Sequence, residues 1–189
     1  MIEVEIRGRL EPAKAEELKQ FFVEKGKHVA DHDREMILLQ DYPGYNDDPT
    51  KREVDIRIKN TDGLCEIVVK RHAHDHNVGR SEVTLALTDK DLEQAKEVVK
   101  AFGCSRGIWM HRKKYIYEYE GVEWSIVEAP KQIFFFEAEL MVGNEAEAEG
   151  ARQRLVAAAE ALQLAIFTPE EYYEFVSMLG REVNKNIAW

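Results

Sequence analysis

Two pairs of glutamates, with a single residue between the members of each pair, lie near opposite ends of the chain. The first pair is Glu3 and Glu5, followed by Arg7, and the second is Glu137 and Glu139. Residues two apart on a β-strand point to the same face of a sheet, so each pattern places two carboxylates side by side. Carboxylates this close raise each other's pKa and are unfavourable unless an arginine, a lysine or a bound metal ion offsets their charge.

Basic residues recur at the same alternate spacing in the segments between the two pairs. We expect them on the same inner faces of a sheet, together with one further acid, Glu82; they are Arg7, Arg57, Lys59, Lys70, Arg80, Arg112 and Lys114. This mixture fits a polyphosphate ligand, because its oxygens attract Arg and Lys while the accompanying Mg²⁺ or Mn²⁺ is held by carboxylates. The alternative for Glu3 and Glu5 is the solvated face of an edge strand, and the second pair makes it less favourable.

The elements that must position these residues follow from hydrophobic periodicity and turn residues. The alternation predicts eight strands, at 2–9, 36–40, 53–59, 64–71, 80–87, 108–119, 122–127 and 133–142. Four helices are predicted at 12–26, 88–102 with Thr88 as its N-cap, 145–163, and from Pro169 with Thr168 as its N-cap. Most strands are joined by short turns and carry charge on one face only, which is typical of a closed, mainly antiparallel barrel with helices outside.

Composition narrows the class of protein further. The chain of 189 residues has no obvious linker and is expected to form a single domain of the α+β class. Its net charge of −10 argues against nucleic acid as a partner but leaves room for a small anionic ligand in a basic pocket. No apolar run reaches the roughly 20 residues of a membrane span, and no secretory signal follows Met1, so we expect a cytoplasmic protein with Cys65 and Cys104 as buried thiols.

These motifs together resemble the CYTH family, also called the triphosphate tunnel metalloenzymes, which includes class IV adenylyl cyclases and thiamine triphosphatases. Glu3-x-Glu5-x-Arg7 looks like the ExExK signature of that family. Weaker matches then follow in the order of the family motifs, namely Gln40-Asp41-Tyr42, Arg57-Ile58-Lys59, Lys70, Arg80-x-Glu82, Arg112 with Lys114, Glu137-x-Glu139 and Tyr172-Tyr173.

The resemblance implies a closed eight-stranded tunnel that binds a triphosphate-containing small molecule and a divalent metal ion, Mg²⁺ or Mn²⁺. It implies metal ligation by Glu3, Glu5, Glu137 and Glu139, and catalytic roles for Glu5 and Arg7. Phosphate binding would fall to Arg7, Arg57, Lys59, Lys70, Arg112 and Lys114, with Arg80 and Glu82 as secondary candidates. Hydrolysis would use a metal-activated water, whereas a cyclase would use the ribose 3′-hydroxyl of ATP, and a homodimer is a further expectation.

The sequence also departs from the family pattern. Arg7 stands where the signature has lysine, and arginine binds as a planar fork whereas lysine is a point charge. Ser125 stands where an aspartate is expected, and the His-Phe that precedes the signature in many class IV cyclases has no counterpart before Glu3. Arg112 fits either alignment of its strand, while Lys114 fits only one. The missing His-Phe favours a triphosphatase over a cyclase, while Arg7 and Ser125 favour the third possibility, a non-catalytic polyphosphate or nucleotide binder.

One further cluster stands apart from the barrel motifs. His72, His74 and His76 alternate in a polar segment that is predicted to be a loop. The pattern is compatible with a transition-metal site, but a loop lacks a framework to fix ligand geometry. The alternative is a mobile loop at the mouth of the tunnel that touches substrate.

Overall fold

A computed structural model describes residues 2–71, 81–89 and 91–189 of the chain. The elements in these ranges are β1 (Ile2–Leu10), α1 (Pro12–Lys25), β2 (Lys27–Leu39), β3 (Val54–Thr61), β4 (Leu64–Arg71), β5 (Ser81–Leu87), α2 (Leu92–Ala101), β6 (Arg106–Tyr119), β7 (Val122–Ala129), β8 (Ile133–Val142), α3 (Ala148–Ala161), α4 (Pro169–Glu182) and β9 (Lys185–Ala188). The predicted site residue Arg80 and the histidines His72, His74 and His76 lie outside the described ranges. None of the helices described is both long and apolar enough to cross a bilayer.

The chain divides into two compact units. The first contains residues 2–32 and 112–176, and the second contains residues 33–71, 81–89, 91–111 and 177–189. In the first unit the hydrogen-bonded strand order is β1-β8-β7-β6, and in the second it is β2-β3-β4-β5. The paired strands are antiparallel, which confirms the predicted α+β class with a mainly antiparallel set of eight strands. Closure into a barrel involves strands of both units and stays a prediction.

The core of the first unit lies on the apolar face of its strands. Helix α3 packs against β1 and β8, and α1 packs against β7 and β8. The largest fully buried side chains there are Trp124, Phe22 and Phe136, and Phe22 lies 5.5 Å from Trp124 between ring centroids. Because side chains alternate along a strand, burying Val4 and Ile6 against this core leaves the odd-numbered residues of β1 on the opposite face.

The second unit has its own core beneath α2, which packs against β3 and β4. Ile37, Ile58 and Ala95 are fully buried in it. Cys65 and Cys104 are buried free thiols, as predicted, and burial raises the pKa of both.

Capping confirms one predicted helix start and corrects another. At α4, the backbone N–H of Glu171 donates to Oγ1 of Thr168 at 3.2 Å, as its N-cap prediction requires. At α2 the N-cap is Asp91 and not Thr88, because the Asp91 carboxylate accepts from the backbone N–H of Gln94 at 2.8 Å. The Gln94 side chain accepts in return from the Asp91 N–H at 3.3 Å, so a capping box fixes the later start.

Two strands differ from their predicted extents. Strand β2 begins at Lys27 and not at residue 36, since its first half is polar on both faces and gives no apolar alternation. Strand β9 was not predicted. It pairs with the first residues of β6, which belong to the second unit, and Ile187 lies opposite Gly107. Four residues are too few to produce a periodic signal.

Replacing Gly8 by alanine should destabilise the protein. A Cβ at Gly8 would collide with the backbone carbonyl of Ala165 and with the fully buried ring of Phe136. We expect a loss on the order of 2 kcal/mol in the free energy of unfolding, measured by urea denaturation. Gly150→Ala is the matched control, because its Cβ meets open space on α3 and should stabilise by roughly 0.5–1 kcal/mol. A Gly8→Ala midpoint equal to that of the unmodified protein would contradict this packing.

Candidate functional site

The register of β1 against β8 brings the two predicted glutamate pairs together in the first unit. Glu5 lies opposite Glu139, and Arg7 lies opposite Glu137. These four residues occupy the face of the sheet away from the apolar core. A stretch of about 130 residues separates the two strands in sequence, so this pairing is a product of the fold and not of local spacing.

Three carboxylates form a group that can hold a metal ion. Glu3, Glu5 and Glu139 are half-buried, and one oxygen from each lies within 4.8 Å of the others. Carboxylate oxygens are the protein ligands that Mg²⁺ and Mn²⁺ prefer, so the donor set fits the ion implied by the sequence resemblance. Three of the four predicted metal ligands are therefore brought together.

Glu137, the fourth predicted ligand, is held by basic side chains. Its carboxylate lies 3.2 Å from Nε of Arg7 and 3.0 Å from Nζ of Lys114. Burial acts to raise the pKa of Glu137, but the ammonium of Lys114 and the guanidinium of Arg7 outweigh burial and hold it below its ordinary value. Glu137 thus serves first as the acid that positions two of the predicted phosphate-binding residues.

Arg7 uses three of its nitrogens on three different partners. Besides Glu137, Nη2 lies 2.5 Å from Oε2 of Glu5 and Nη1 donates to the hydroxyl of Tyr172 at 3.2 Å. The guanidinium also lies 5.3 Å from the centre of the Tyr172 ring. The backbone carbonyl of Arg7 accepts a hydrogen bond from the N–H of Phe167 at 2.8 Å, so the segment leading into α4 fixes this part of β1.

Burial, together with the crowding of acids expected from the sequence, raises the pKa of two carboxyls in this cluster. Burial raises the pKa of Glu5 to about 8; Arg7 opposes this, and the charges of Glu137, Glu139 and Glu3 add to it. The pKa of Glu139 is also raised by burial, with Lys114 opposing. Without an added cation, the cluster therefore tends to keep a proton near neutral pH.

Strand β6 contributes two cations to the same face. Lys114 Nζ lies 3.0 Å from Glu137 and 3.5 Å from Glu139, so the charged face includes Lys114 as well as Arg112. Arg112 is buried two residues earlier on the strand, and burial lowers its pKa to about 10, opposed by Glu137. An arginine with this pKa remains charged at neutral pH and can attract an anion.

Strand β7 contributes Ser125 to this face, together with Glu123, which the sequence analysis did not single out. Ser125 lies opposite Glu137, and its Oγ is buried with no hydrogen-bond partner among the described residues. Glu123 lies opposite Glu139, two positions before Ser125, and its charge adds to the rise in the pKa of Glu139. Sequence reasoning missed Glu123, although the spacing Glu123-x-Ser125 places it on the same face as the serine.

The second unit carries three more of the predicted phosphate-binding residues, Arg57, Lys59 and Lys70, and each of them lies beside an acid. Lys59 Nζ lies 2.8 Å from Glu66, and Lys70 Nζ lies 2.8 Å from Glu82. Burial acts to raise the pKa of Glu82, but its hydrogen bond and attraction to Lys70 lower it overall. These cross-strand pairs hold the lysines in place in the absence of an anion.

Arg57 is held by an acid that sequence reasoning did not select. Asp55 is only 3% exposed and lies 2.6 Å from Nη2 of Arg57 and 3.1 Å from Nη1 of Arg52. Nε of Arg57 is buried without a hydrogen-bond partner in the described part of the chain. The signal for Asp55 was its two-residue spacing from Arg57, which puts both side chains on one face.

No sequence-family profile and no curated protein sequence matches this chain. Solved structures do. A Vibrio parahaemolyticus protein provisionally assigned as an adenylate cyclase is 18% identical, with a TM-score of 0.70 over 94% of this chain and 98% of that one. HpAC1 from Hippeastrum, a provisional adenylyl cyclase described as having a dominant triphosphatase activity, is 16% identical, with a TM-score of 0.62 over 96% and 100%.

A third similar structure is not described as a cyclase. A chain of the Schizosaccharomyces pombe Mediator head module is 11% identical, with a TM-score of 0.62 over 88% of this chain and 98% of that one. At these identities the three likenesses establish the fold. Function therefore has to be argued from the side chains.

The raised pKa of Glu5 predicts how stability depends on pH. Between its ordinary value of 4.5 and the folded value of about 8, the native protein holds the Glu5 proton more tightly than the unfolded chain does. The Glu5 contribution to stability is therefore present at low pH and is lost as the pH rises through this window. Glu5→Gln should remove on the order of 2 kcal/mol of the fall in unfolding free energy between pH 5 and pH 8.

Urea denaturation at both pH values, with EDTA present, measures this difference. Glu24→Gln, an exposed residue on α1, is the control and should keep the pH dependence of the unmodified protein. Parallel curves for Glu5→Gln and the unmodified protein would show that Glu5 titrates normally.

Proposed function

We propose that this protein is a CYTH-like phosphohydrolase that removes the terminal phosphoryl group of a triphosphate with the help of Mg²⁺ or Mn²⁺. The observation that carries the proposal is the position of the Glu3, Glu5 and Glu139 carboxylates beside cationic groups on one sheet face. Carboxylates bind the metal, and the cations attract the phosphate oxygens that accompany it. Few ligands other than a metal-bound polyphosphate require both kinds of group so close together.

Six charged side chains of the first unit have defined parts in this proposal. Glu3, Glu5 and Glu139 would hold the divalent ion, which would supply Lewis-acid stabilisation and a water of lowered pKa. Lys114 and Arg112 neutralise charge on the phosphate oxygens, which grows as the terminal phosphoryl group is transferred. Glu137 keeps Lys114 directed at this face, because their atoms lie 3.0 Å apart.

The second unit provides a basic face for phosphate in this proposal. Arg57, Lys59 and Lys70 are expected to exchange their carboxylate partners for phosphate oxygens, which offer more charge to each cation. Arg80 and Glu82 are secondary members of this set. The fixed side chains lose little conformational freedom on binding, which favours affinity.

The triphosphatase activity described for HpAC1 supports hydrolysis over cyclisation. A cyclase is supported by the provisional assignments of both HpAC1 and the Vibrio protein. A non-catalytic binder is favoured by Arg7 and Ser125, neither of which offers the lysine or aspartate of the family pattern. The cytoplasmic location and the homodimer remain predictions.

Hydrolysis can be tested on tripolyphosphate, thiamine triphosphate and ATP, each with Mg²⁺ and with Mn²⁺. We expect release of orthophosphate from at least one of them, and from ATP no cyclic AMP. Glu5→Gln should lower kcat on the order of 100-fold, since it weakens metal binding and transition-state stabilisation together. Glu24→Gln, the same change at an exposed position, should leave kcat unchanged.

Three results would oppose the proposal. Cyclic AMP and pyrophosphate from ATP would favour the cyclase, and tight binding of tripolyphosphate without turnover would favour the binder. A Glu5→Gln rate equal to that of the unmodified protein would remove the metal cluster from the reaction.

The basic face of the second unit predicts a separate kinetic effect. Lys70→Ala should raise KM for tripolyphosphate on the order of tenfold with a smaller change in kcat, because a ground-state contact to phosphate is lost. Lys100→Ala is the control, since Lys100 is exposed at the end of α2. If both variants raise KM equally, the effect comes from net charge and not from a phosphate contact at Lys70.

A further inference from the structure

We propose that Arg7 is a resident counter-ion of the carboxylate cluster, which a divalent cation must displace from Glu5 in order to bind, so that Arg7 sets the metal affinity of the site. The inference rests on the proposed function for the identity of the cation. Its test measures metal binding without substrate.

The first step of the argument is where the guanidinium lies. Nη2 of Arg7 is 2.5 Å from Oε2 of Glu5, and Glu5 is one of the three carboxylates grouped for a metal. The Glu5 side chain is only 9% exposed, so it cannot turn into solvent to make room. A metal ion and Arg7 therefore compete for the same confined carboxylate.

The second step is that Arg7 keeps other hydrogen-bond partners if it loses Glu5. Its Nε is 3.2 Å from Glu137 and its Nη1 is 3.2 Å from the Tyr172 hydroxyl. If Glu5 turns to a metal ion, Arg7 keeps both of these partners and is not left as an unpaired buried charge. Glu137 lies outside the group of three carboxylates, so it remains available to Arg7.

The third step is chemical and depends on the arginine itself. A planar guanidinium can bond Glu5, Glu137 and Tyr172 at once from different nitrogens, as it does here. A lysine at the same position has one shorter-reaching ammonium and would hold fewer of these partners at a time. Arginine at position 7 should therefore weaken metal binding more than lysine would.

Isothermal titration of Mn²⁺ into the substrate-free protein tests the proposal. Arg7→Met removes the charge while keeping a long side chain, and we expect it to bind Mn²⁺ at least tenfold more tightly than the unmodified protein. Arg7→Lys should bind several-fold more tightly than the unmodified protein. Arg9→Met is the matched control, because Arg9 is an exposed residue two positions along the same strand, opposite Phe135. It should change the affinity less than twofold.

Thermal unfolding gives a second readout that a general packing defect would not reproduce. Metal-free Arg7→Met should melt below the unmodified protein, because Glu5 and Glu137 lose their shared cation. Saturating Mn²⁺ should raise its melting temperature more than it raises that of the unmodified protein. If Arg7→Met does not fold without metal, Arg7→Lys keeps the charge and decides the question by its affinity.

Equal or weaker Mn²⁺ binding by the Arg7 variants would overturn the proposal and make Arg7 a support for the metal ligands. An equal gain in Arg9→Met would overturn it as well, since the effect would then be one of net charge. These results are separate from the proposed function. If the protein proves inactive but the Arg7 variants bind Mn²⁺ more tightly, the role of Arg7 stands. If the protein is an active hydrolase but the Arg7 variants bind Mn²⁺ with unchanged affinity, the role of Arg7 is refuted.

Discussion

Glu5 and Glu139 lie directly opposite each other on neighbouring strands, an arrangement that antiparallel sheets ordinarily avoid because like charges repel across the pair. The repulsion is strengthened by burial, which raises the pKa of both carboxyls. Arg7 and Lys114 offset part of it, and each lies against one of these two acids and against Glu137. The charged face of the first unit is organised around this repulsion and the cations that moderate it.

The opposite face of the same strands makes this arrangement tolerable. Val4, Ile6, Trp124 and Phe136 are buried against α1 and α3, and their apolar burial favours the strand pairing that the carboxylates disfavour. Alternation of side chains separates the two environments within a single layer of backbone. A destabilised site is therefore supported by a core only one residue away along each strand.

Much of this could be predicted from the sequence, and the failures have physical causes. The apolar alternation in β1, β4 and β8 located those strands to within a residue and assigned their charged faces. The alternation could not show that Glu137 forms ion pairs with Arg7 and Lys114 while Glu139 lies with Glu3 in the group of carboxylates that can hold a metal ion. Glu137 and Glu139 belong to the same local pattern, so the pattern does not distinguish them.

Polar stretches were the other source of error. The first half of β2 has no apolar face, so no periodicity indicated a strand there. The choice of Asp91 over Thr88 as the α2 N-cap depended on a reciprocal bond with Gln94, and a residue-type preference alone did not distinguish the two. Asp55 and Glu123 were overlooked although the two-residue spacing placed each of them on a charged face, because that spacing does not show which partner an acid will meet.

The backbone around Gly8 has a consequence for how this chain can vary in length. The carbonyl of Ala165 and the ring of Phe136 leave no room for a side chain at Gly8, and the N–H of Phe167 binds the carbonyl of the preceding residue. A one-residue insertion before this point would turn the glutamates of β1 towards the apolar core. A two-residue insertion would restore the faces but shift every acid past its opposite partner. We therefore expect related chains to accommodate insertions and deletions in their turns and to conserve the spacing from Glu3 to Gly8 without gaps.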